Sequence, residues 1–254
     1  MENFGSYTMG PYLSLRWKTV GRKLALPLET GASDDLLAWR LGATSKLRDL
    51  LGFDTMEHAS LDPKITEEIE FDEYTRQRVE VRTELGVIMP VYVLIPKRYT
   101  PPYSAVIAAH GHGSAGKLGV AGVCATPELS ESINLHNWAY GLELVRAGFL
   151  TLCPDARGHG ERREPGAGVD IRSCSCEFIN RAAHPLGQTV TGMWTWDIHR
   201  LIDYIELRTD CRAGRIGCAG LSYGGTMTLF TTVTDQRVKC AVVSGYLNSF
   251  GAFA

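Results

Sequence analysis

The chain has 254 residues, of which 44% are hydrophobic and 21% charged, and its formal net charge is −2. This length can bury the core of one domain, and the composition is ordinary for a globular protein. The charge balance gives no support for nucleic-acid binding or for a basic membrane-facing surface, and no apolar run is long enough to span a bilayer. The start of the chain has no secretory signal pattern. We therefore expect a cytoplasmic protein that binds neither nucleic acid nor membrane.

The N-terminal part of the chain divides into two segments. Residues 1–32 are rich in Gly, Pro and Tyr, and we predict an extended arm there. The stretch SDDLLAWRLGATSKLRDLLGF that follows predicts an amphipathic helix, which Ser33 would cap and Gly52 would end. We expect residues 1–64 to form an arm and a helix, and residues 65–254 to form the core of the protein.

The core predicts strands that alternate with helices. The stretch EEIEFDEYTRQRVEVRTELGVIMPVYVLIP alternates polar and apolar residues on both sides of a Leu-Gly pair, which predicts two antiparallel strands. Four buried strands follow, at SAVIAAH, FLTLCPD, RIGCAG and VKCAVVSG. Helices are predicted at NLHNWAYGLELVRAGF, at TWDIHRLIDYIELRT and after Ser222, whereas residues 157–192 form an irregular excursion. This alternation indicates an α/β fold with a mostly parallel sheet.

The cysteines give little sign of disulfides or of a metal site. There are seven, an odd number, and Cys153, Cys218 and Cys240 lie in apolar strand-like runs, where we expect free buried thiols. Cys174 and Cys176 could form a metal or redox pair, but no second CxxC or HxxxH pattern lies near them in the sequence. We interpret them as loop cysteines and expect no metal and no cofactor.

The segment GLSYGG contains the strongest chemical signal. It matches G-x-S-x-G, follows a predicted buried strand and opens a predicted helix, which is the context in which a serine is lifted on a strained turn above a sheet. The sequence therefore predicts Ser222 as a nucleophile. The backbone N–H of Tyr223, at the positive end of the helix dipole, would be one donor to an oxyanion.

Two further loops are predicted at the same edge of the sheet. In AAHGHGSAGK, glycines let the main chain approach a substrate, so we place a second oxyanion donor at the backbone N–H of His112 and interpret His110 as a structural histidine. A phosphate loop is the weaker interpretation, because G-x-x-x-x-G-K-[ST] is not matched. In PDARGHGER we expect an ion pair between Asp155 and Arg157 that supports the site. His159 is a less favoured candidate for a catalytic base, as is His112.

Together the segments HGHGSAGK, PDARGHGER and GLSYGG resemble the α/β-hydrolase superfamily, and within it the branch of bacterial acetyl xylan esterases and dienelactone hydrolases. The resemblance covers roughly residues 75–250. It implies an α/β-hydrolase fold and a serine carboxylesterase that hydrolyses short acyl esters, with carbohydrate esters among the candidates, through an acyl-enzyme on Ser222. It implies no cofactor.

The sequence departs from this family where the acid and the base should lie. The family order is Ser, then Asp or Glu, then His. After Ser222 the only carboxylate is Asp235, and no histidine follows His199. We therefore expect that the C-terminal strands are missing. The acid and base would lie beyond residue 254 of a longer parent or in a partner chain, and a homo-oligomer or a completing chain could cover the open sheet edge.

Two other functions stay open at this point. A serine peptidase of the prolyl-oligopeptidase type shares G-x-S-x-G-G, although only about 75 residues precede the sheet, too few for a propeller. A hydrolase-fold binding protein that lost its acid and base is the other alternative. Hydrolysis of a peptide anilide would mark the first, and a serine that reacts only at the background rate would mark the second.

Overall fold

The structure is a computed structural model that describes residues 8–19 and 33–247. The chain divides into two compact units, residues 1–45 with 247–254, and residues 46–246. Helix α1 spans Met9–Thr19, so the prediction of an extended arm is wrong for that stretch. Helix α2 spans Ser33–Leu51, as predicted, and Gly52 ends it with a φ of 78°. The predicted cap by the Ser33 side chain lies outside the described residues, and the domain boundary at residue 64 stays a prediction.

The second unit is built on a seven-stranded sheet. Its strands are β1 Lys64–Glu70, β2 Tyr74–Glu84, β3 Val87–Pro96, β4 Tyr103–Ala109, β5 Leu150–Pro154, β6 Cys211–Leu221 and β7 Val238–Ser244. They lie in the order β1-β2-β3-β5-β4-β6-β7. Three pairings are antiparallel, β1 with β2, β2 with β3 and β3 with β5, and the other three are parallel. The α/β class is confirmed, but the sheet is mixed rather than mostly parallel.

The N-terminal part of the sheet has three strands where the sequence predicts two. The turn at Gly86 joins β2 to β3 as expected, with a φ of 77°. Strand β1 is an edge strand that is exposed along nearly its whole length, so it carries no hydrophobic alternation. It turns into β2 through Phe71–Glu73, which contains neither glycine nor proline. Because of these two features, the hydrophobic pattern of the sequence does not predict a separate strand here.

Helices cover both faces of the sheet. They are α3 Lys117–Val120, α4 Pro127–His136, α5 Tyr140–Arg146, α6 Cys176–Ala183, α7 Val190–Leu207 and α8 Tyr223–Thr234. Helices α7 and α8 pack on one face, mainly against β2 and against β4, β6 and β7, and α3 and α5 pack on the other face against β3, β4 and β5. Each face buries its own apolar cluster, and Trp194 belongs to the larger one.

The helix that the sequence predicts over NLHNWAYGLELVRAGF is interrupted. Asn137 adopts the left-handed conformation with a φ of 53° and closes α4, and α5 begins three residues later. Asparagine tolerates this conformation better than most residues, which makes it a frequent helix terminator. Leu135, predicted in the apolar face of one helix, is 71% exposed as a result.

Strand β7 differs in burial from its prediction. Its sequence CAVV is typical of a strand covered on both faces, but in the structure β7 is an edge strand whose residues are mostly exposed. Val242 and Cys240 are exposed, so the prediction of a buried thiol is wrong for Cys240, whereas Cys153 and Cys218 are buried free thiols. An apolar cavity of about 500 Å³ lies on this part of the sheet, between α5 and β4, β6 and β7.

None of the helices within residues 8–19 and 33–247 combines the length and the apolar character that a membrane span requires.

His199 in α7 makes the stability of the fold sensitive to acid. Burial lowers its pKa to about 4 from 6.5, more than the neighbouring Asp235 raises it, and its Nε2 lies 2.9 Å from Thr234 Oγ1. Between pH 6.5 and 4, His199 therefore binds a proton in the unfolded chain but not in the folded chain. The stability from neutral His199 is complete above pH 6.5 and is lost as the pH falls towards 4.

We expect this histidine to cost the protein about 2 kcal/mol of unfolding free energy between pH 7.5 and 5.0. Urea unfolding at both pH values, compared between the wild type and His199→Gln, measures that cost, because all other titrating groups are common to the two proteins. An equal loss of stability in the two proteins would contradict the prediction.

Candidate active site

Ser222 lies on a sharp turn between β6, which ends at Leu221, and α8, which begins at Tyr223. Its φ is 57° and its ψ is −118°, a conformation that costs a non-glycine residue about 1–3 kcal/mol. The backbone N–H of Ser222 donates to the carbonyl of Ser244 on β7 (2.8 Å), which holds the turn against the neighbouring strand. This is the strand–turn–helix geometry that the sequence motif predicts.

The glycines beside Ser222 are required by close backbone packing. A Cβ on Gly220 would overlap the carbonyl of Gly224, and a Cβ on Gly224 would overlap the carbonyl of Ala109 at the end of β4. Both neighbours are backbone atoms, which cannot move aside as a side chain can. The chain therefore turns within a single residue, and Ser222 is held at the carboxyl edge of the sheet.

The substitution Gly220→Ala should destabilise the protein by about 3 kcal/mol or more, because it forces backbone atoms apart. Gly217→Ala is the matched control on the same strand, since its Cβ would lie 3.5 Å from its nearest neighbours, an ordinary contact. We expect the control to change stability by less than about 1 kcal/mol. Urea unfolding of the two variants measures the difference, and similar midpoints would contradict the close packing of the turn.

The loop after β4 lies directly against this turn. A Cβ on Gly111 would lie 2.8 Å from the carbonyl oxygen of Leu221 and 3.5 Å from the Cβ of Ser222. The imidazole of His112, the next residue, meets the ring of Tyr223 edge to face, with centroids 3.7 Å apart. The backbone of His112 and the N-terminus of α8 are thereby brought together around Ser222.

His110 links the loop after β4 to the loop after β5. Its Nδ1 lies 2.9 Å from the carbonyl oxygen of Gly111, to which it donates, and the N–H of Ala156 donates to its Nε2 at 3.0 Å. Burial lowers the pKa of His110 to about 4, so the ring is neutral. Both ring nitrogens are used within the protein, which leaves neither for proton transfer.

The expected ion pair between Asp155 and Arg157 is wrong. Asp155 is fully buried and binds Lys117 instead: Nζ lies 2.6 Å from one carboxylate oxygen, and the Lys117 backbone N–H donates to the other at 2.7 Å. The N–H of Glu161 donates to Asp155 at 3.0 Å, and the Glu161 carboxylate also contacts Lys117 Nζ. Lys117 lies 38 residues before Asp155, and no sequence pattern predicts that the two side chains meet.

Arg157 belongs to a second charged cluster. It donates to both carboxylate oxygens of Asp197 at 3.1 and 2.8 Å and to Glu84 at 2.6 Å, and Arg162 also donates to Asp197 at 2.7 Å. Although burial opposes it, the two arginines lower the pKa of Asp197 to about 2. The segment PDARGHGER is thus fixed to α7 and β2 by charges, and Asp197 and Glu84 were missed because they lie in other elements.

The structure places His159 beside His112, with ring centroids 4.9 Å apart. Its Nδ1 lies 3.3 Å from the carbonyl oxygen of Arg157, to which it donates, and Asp155, which was considered as its orienting acid, is bound to Lys117. Cys174 and Cys176 approach the same two histidines. Among the described residues, no histidine forms a hydrogen bond with Ser222.

The chain is similar to several known proteins. The "Putative hydrolase YtaP" of Bacillus subtilis (strain 168) is 29% identical over 154 residues, which are 60% of this chain and 46% of that protein. Among solved structures, a "putative acetyl xylan esterase" of Bacteroides fragilis NCTC 9343 matches with a TM-score of 0.79 and 16% identity, over 95% of this chain and 61% of the other. Methylesterase BT1017 matches with a TM-score of 0.63 and 21% identity, over 85% and 42%.

In each case this chain spans less than two thirds of the length of the protein it matches. At these identities the solved structures show a common fold. The model of one protein family, the Abhydrolase family, matches residues 24–249, which include the turn at Ser222 and both loops beside it. The chain therefore belongs to the Abhydrolase family.

Proposed function

We propose that this protein is a serine carboxylesterase that hydrolyses short acyl esters through an acyl-enzyme on Ser222. The observation that supports the proposal most strongly is the strained turn itself, with a φ of 57° at a non-glycine residue between a strand and a helix. Strain of this kind persists where the surrounding structure enforces it, and it occurs preferentially at functional sites. The names of the two solved neighbours, an acetyl xylan esterase and a methylesterase, are consistent with ester chemistry.

In the proposed reaction, Ser222 Oγ attacks the ester carbonyl carbon while a general base takes its proton. The negative charge that develops on the carbonyl oxygen is stabilised by the backbone N–H groups of Tyr223 and His112, and each such donor contributes about 10²–10³-fold to the rate. The C–O bond then breaks, the alcohol leaves with a proton, and water hydrolyses the acyl-enzyme. The rings of His112 and Trp194 lie against Tyr223 at the turn and would flank a bound acyl group.

The reaction also needs a general base, which neither His110 nor His159 supplies. His110 uses both ring nitrogens within the protein, and His159 Nδ1 donates to a backbone carbonyl. We propose that the base and its orienting acid come from a longer parent chain or from a partner chain, as the family order of residues implies. His112 and His159 are then neighbours of the site and not its base.

The pH dependence of acylation tests both parts of this proposal. With p-nitrophenyl acetate, the 254-residue chain should form an acetyl-enzyme at a rate that rises about tenfold per pH unit from pH 7 to 10, because hydroxide does the work of the missing base. A rate that stays constant from pH 7 to 10 would show instead that a histidine of this chain, whose pKa lies below that range, is the base. An equal rate in Ser222→Ala at every pH would contradict the esterase itself.

A further inference from the structure

Two histidines and two cysteines meet at one point beside the proposed active site. His112 follows β4, His159 follows β5, and Cys174 and Cys176 lie at the start of α6. The two imidazoles and the two thiols each present an atom able to bind a metal, and all four atoms lie within 4.8 Å of one another. Sequence analysis considered Cys174 and Cys176 as a pair but not the two histidines, because His112 lies 64 residues before Cys176.

Two distances within the cluster are close to those of a tetrahedral site. Cys174 Sγ and Cys176 Sγ are 3.3 Å apart, and His112 Nε2 is 3.2 Å from Cys176 Sγ. Around a zinc ion with bonds of about 2.3 Å to sulfur and about 2.0 Å to nitrogen, neighbouring ligand atoms are about 3.3–3.8 Å apart. All four atoms lie within 4.8 Å of one another, so an ion at the centre would draw the more distant ones closer together.

His159 carries the second, independent indication of a ligand. The residue is 3% exposed, and its Nε2 is buried without a hydrogen-bond partner. Its Nδ1 lies 3.3 Å from the carbonyl oxygen of Arg157, to which it donates, and this fixes the tautomer that leaves a lone pair on Nε2. Metal-binding histidines are typically oriented by a carbonyl in this way. A buried, unsatisfied nitrogen is costly, and a bound cation would remove that cost.

The chemistry of the donors selects among cations. Each imidazole offers one ring nitrogen and each cysteine offers its sulfur. Cysteines bind a metal as thiolates and histidines as neutral imidazoles, so metal binding releases the thiol protons. Two thiolates and two neutral imidazoles make a dication electrically neutral, which suits a buried site, and sulfur donors exclude Mg²⁺ and Ca²⁺.

We propose that His112, His159, Cys174 and Cys176 form a tetrahedral binding site for a soft or borderline divalent cation, with Zn²⁺ as the natural occupant. The ion would tie the excursion that contains α6 to the two loops at the carboxyl edge of the sheet. It would also hold His112, whose backbone N–H is the proposed oxyanion donor. Both histidines would be occupied by the metal, which agrees with a general base from elsewhere.

Metal binding to the reduced chain tests this proposal directly. The protein is treated with a chelator, kept under a phosphine reductant that prevents a Cys174–Cys176 disulfide, and titrated with Zn²⁺ and separately with Co²⁺. We expect one equivalent of Zn²⁺ to remain bound through desalting. We expect Co²⁺ to give a thiolate-to-metal charge-transfer band and the intense visible bands of tetrahedral coordination. Neither readout depends on catalysis, so a failure here is distinguishable from a failure of the esterase proposal.

Single variants identify the ligands. Cys174→Ser and His159→Gln should each lower the retained zinc to less than about a tenth of an equivalent per chain, since loss of one ligand of four opens the site. Cys124→Ser, at an exposed free cysteine outside the cluster, is the matched control and should retain one equivalent. Circular dichroism before the titration identifies any variant that fails to fold. If a variant is unfolded, the Co²⁺ spectrum of the wild type is the readout that tests the proposal.

Two results would overturn the proposal. One is a reduced wild-type chain that retains no Zn²⁺ and gives only the weak spectrum of octahedral Co²⁺. The other is Cys174→Ser and His159→Gln retaining as much Zn²⁺ as the Cys124→Ser control does.

Discussion

Ser222→Ala should lower the rate at which p-nitrophenyl acetate acylates the protein by about 10²–10³-fold at pH 9. This is the advantage that an oxyanion hole gives to a serine over an ordinary hydroxyl, measured where hydroxide replaces the general base. We expect this advantage at Ser222 because the residue lies on a strained turn, with a φ of 57°, at the N-terminus of α8 and beside the loop that carries His112. Stopped-flow release of p-nitrophenol measures the rate.

Ser60→Ala is the matched control for this experiment. Ser60 is exposed and its hydroxyl donates to Asp62 at 2.7 Å, so its loss removes an ordinary surface hydroxyl. The control variant should be acylated as fast as the wild type. If Ser222→Ala and Ser60→Ala reacted at the same rate, Ser222 would not be the nucleophile.

Lys117→Met should destabilise the protein by about 3–5 kcal/mol, because it leaves the carboxylate of Asp155 buried without its cation. Both side chains are almost wholly inaccessible, and Nζ lies 2.6 Å from the Asp155 carboxylate. The two backbone N–H groups that donate to Asp155 would remain, from residues 117 and 161, but they carry no full charge. The unfolding free energy from urea titration measures the loss.

A surface ion pair provides the comparison for this variant. Lys46 contacts Asp49 with both side chains more than half exposed, and pairs of this kind contribute about 0–1 kcal/mol. Lys46→Met should therefore leave the urea midpoint almost unchanged. Equal destabilisation by Lys46→Met and Lys117→Met would show that the buried charges around Asp155 do not hold the site in place.

The hydrophobic pattern and the glycines predict most of the fold. The buried strands β4 and β5 and the helix α7 appear where continuous apolar runs or helical periodicity predict them, because burial determines both. Strand β6 also forms where it is predicted, but the prediction that it is buried is wrong, since most of its residues are exposed or half-buried. Strand β1 was missed because it is an exposed edge strand without alternation. The break at Asn137 was missed because a single residue in the left-handed conformation leaves the hydrophobic periodicity around it unchanged.

The site is predictable only in its local part. The turn at Ser222 could be predicted because its strand, glycines and helix are adjacent in the sequence. The partners of Asp155 and Arg157 could not, because pairing depends on which elements the sheet order brings together, and charged residues are too common for one to be chosen. The cluster that joins His112 and His159 to Cys174 and Cys176 was missed for the same reason, since its residues come from three separate segments of the chain.

The measurement that tests the central claim most directly is covalent labelling with a fluorophosphonate at pH 9, followed by mass spectrometry of the digested protein. If Ser222 is the nucleophile at an oxyanion hole, the phosphonyl group will be found on the peptide that contains Ser222, at close to one group per chain. Ser222→Ala will then carry no label at any position above background. A label distributed over exposed serines and tyrosines, or retained in full by Ser222→Ala, would contradict the claim.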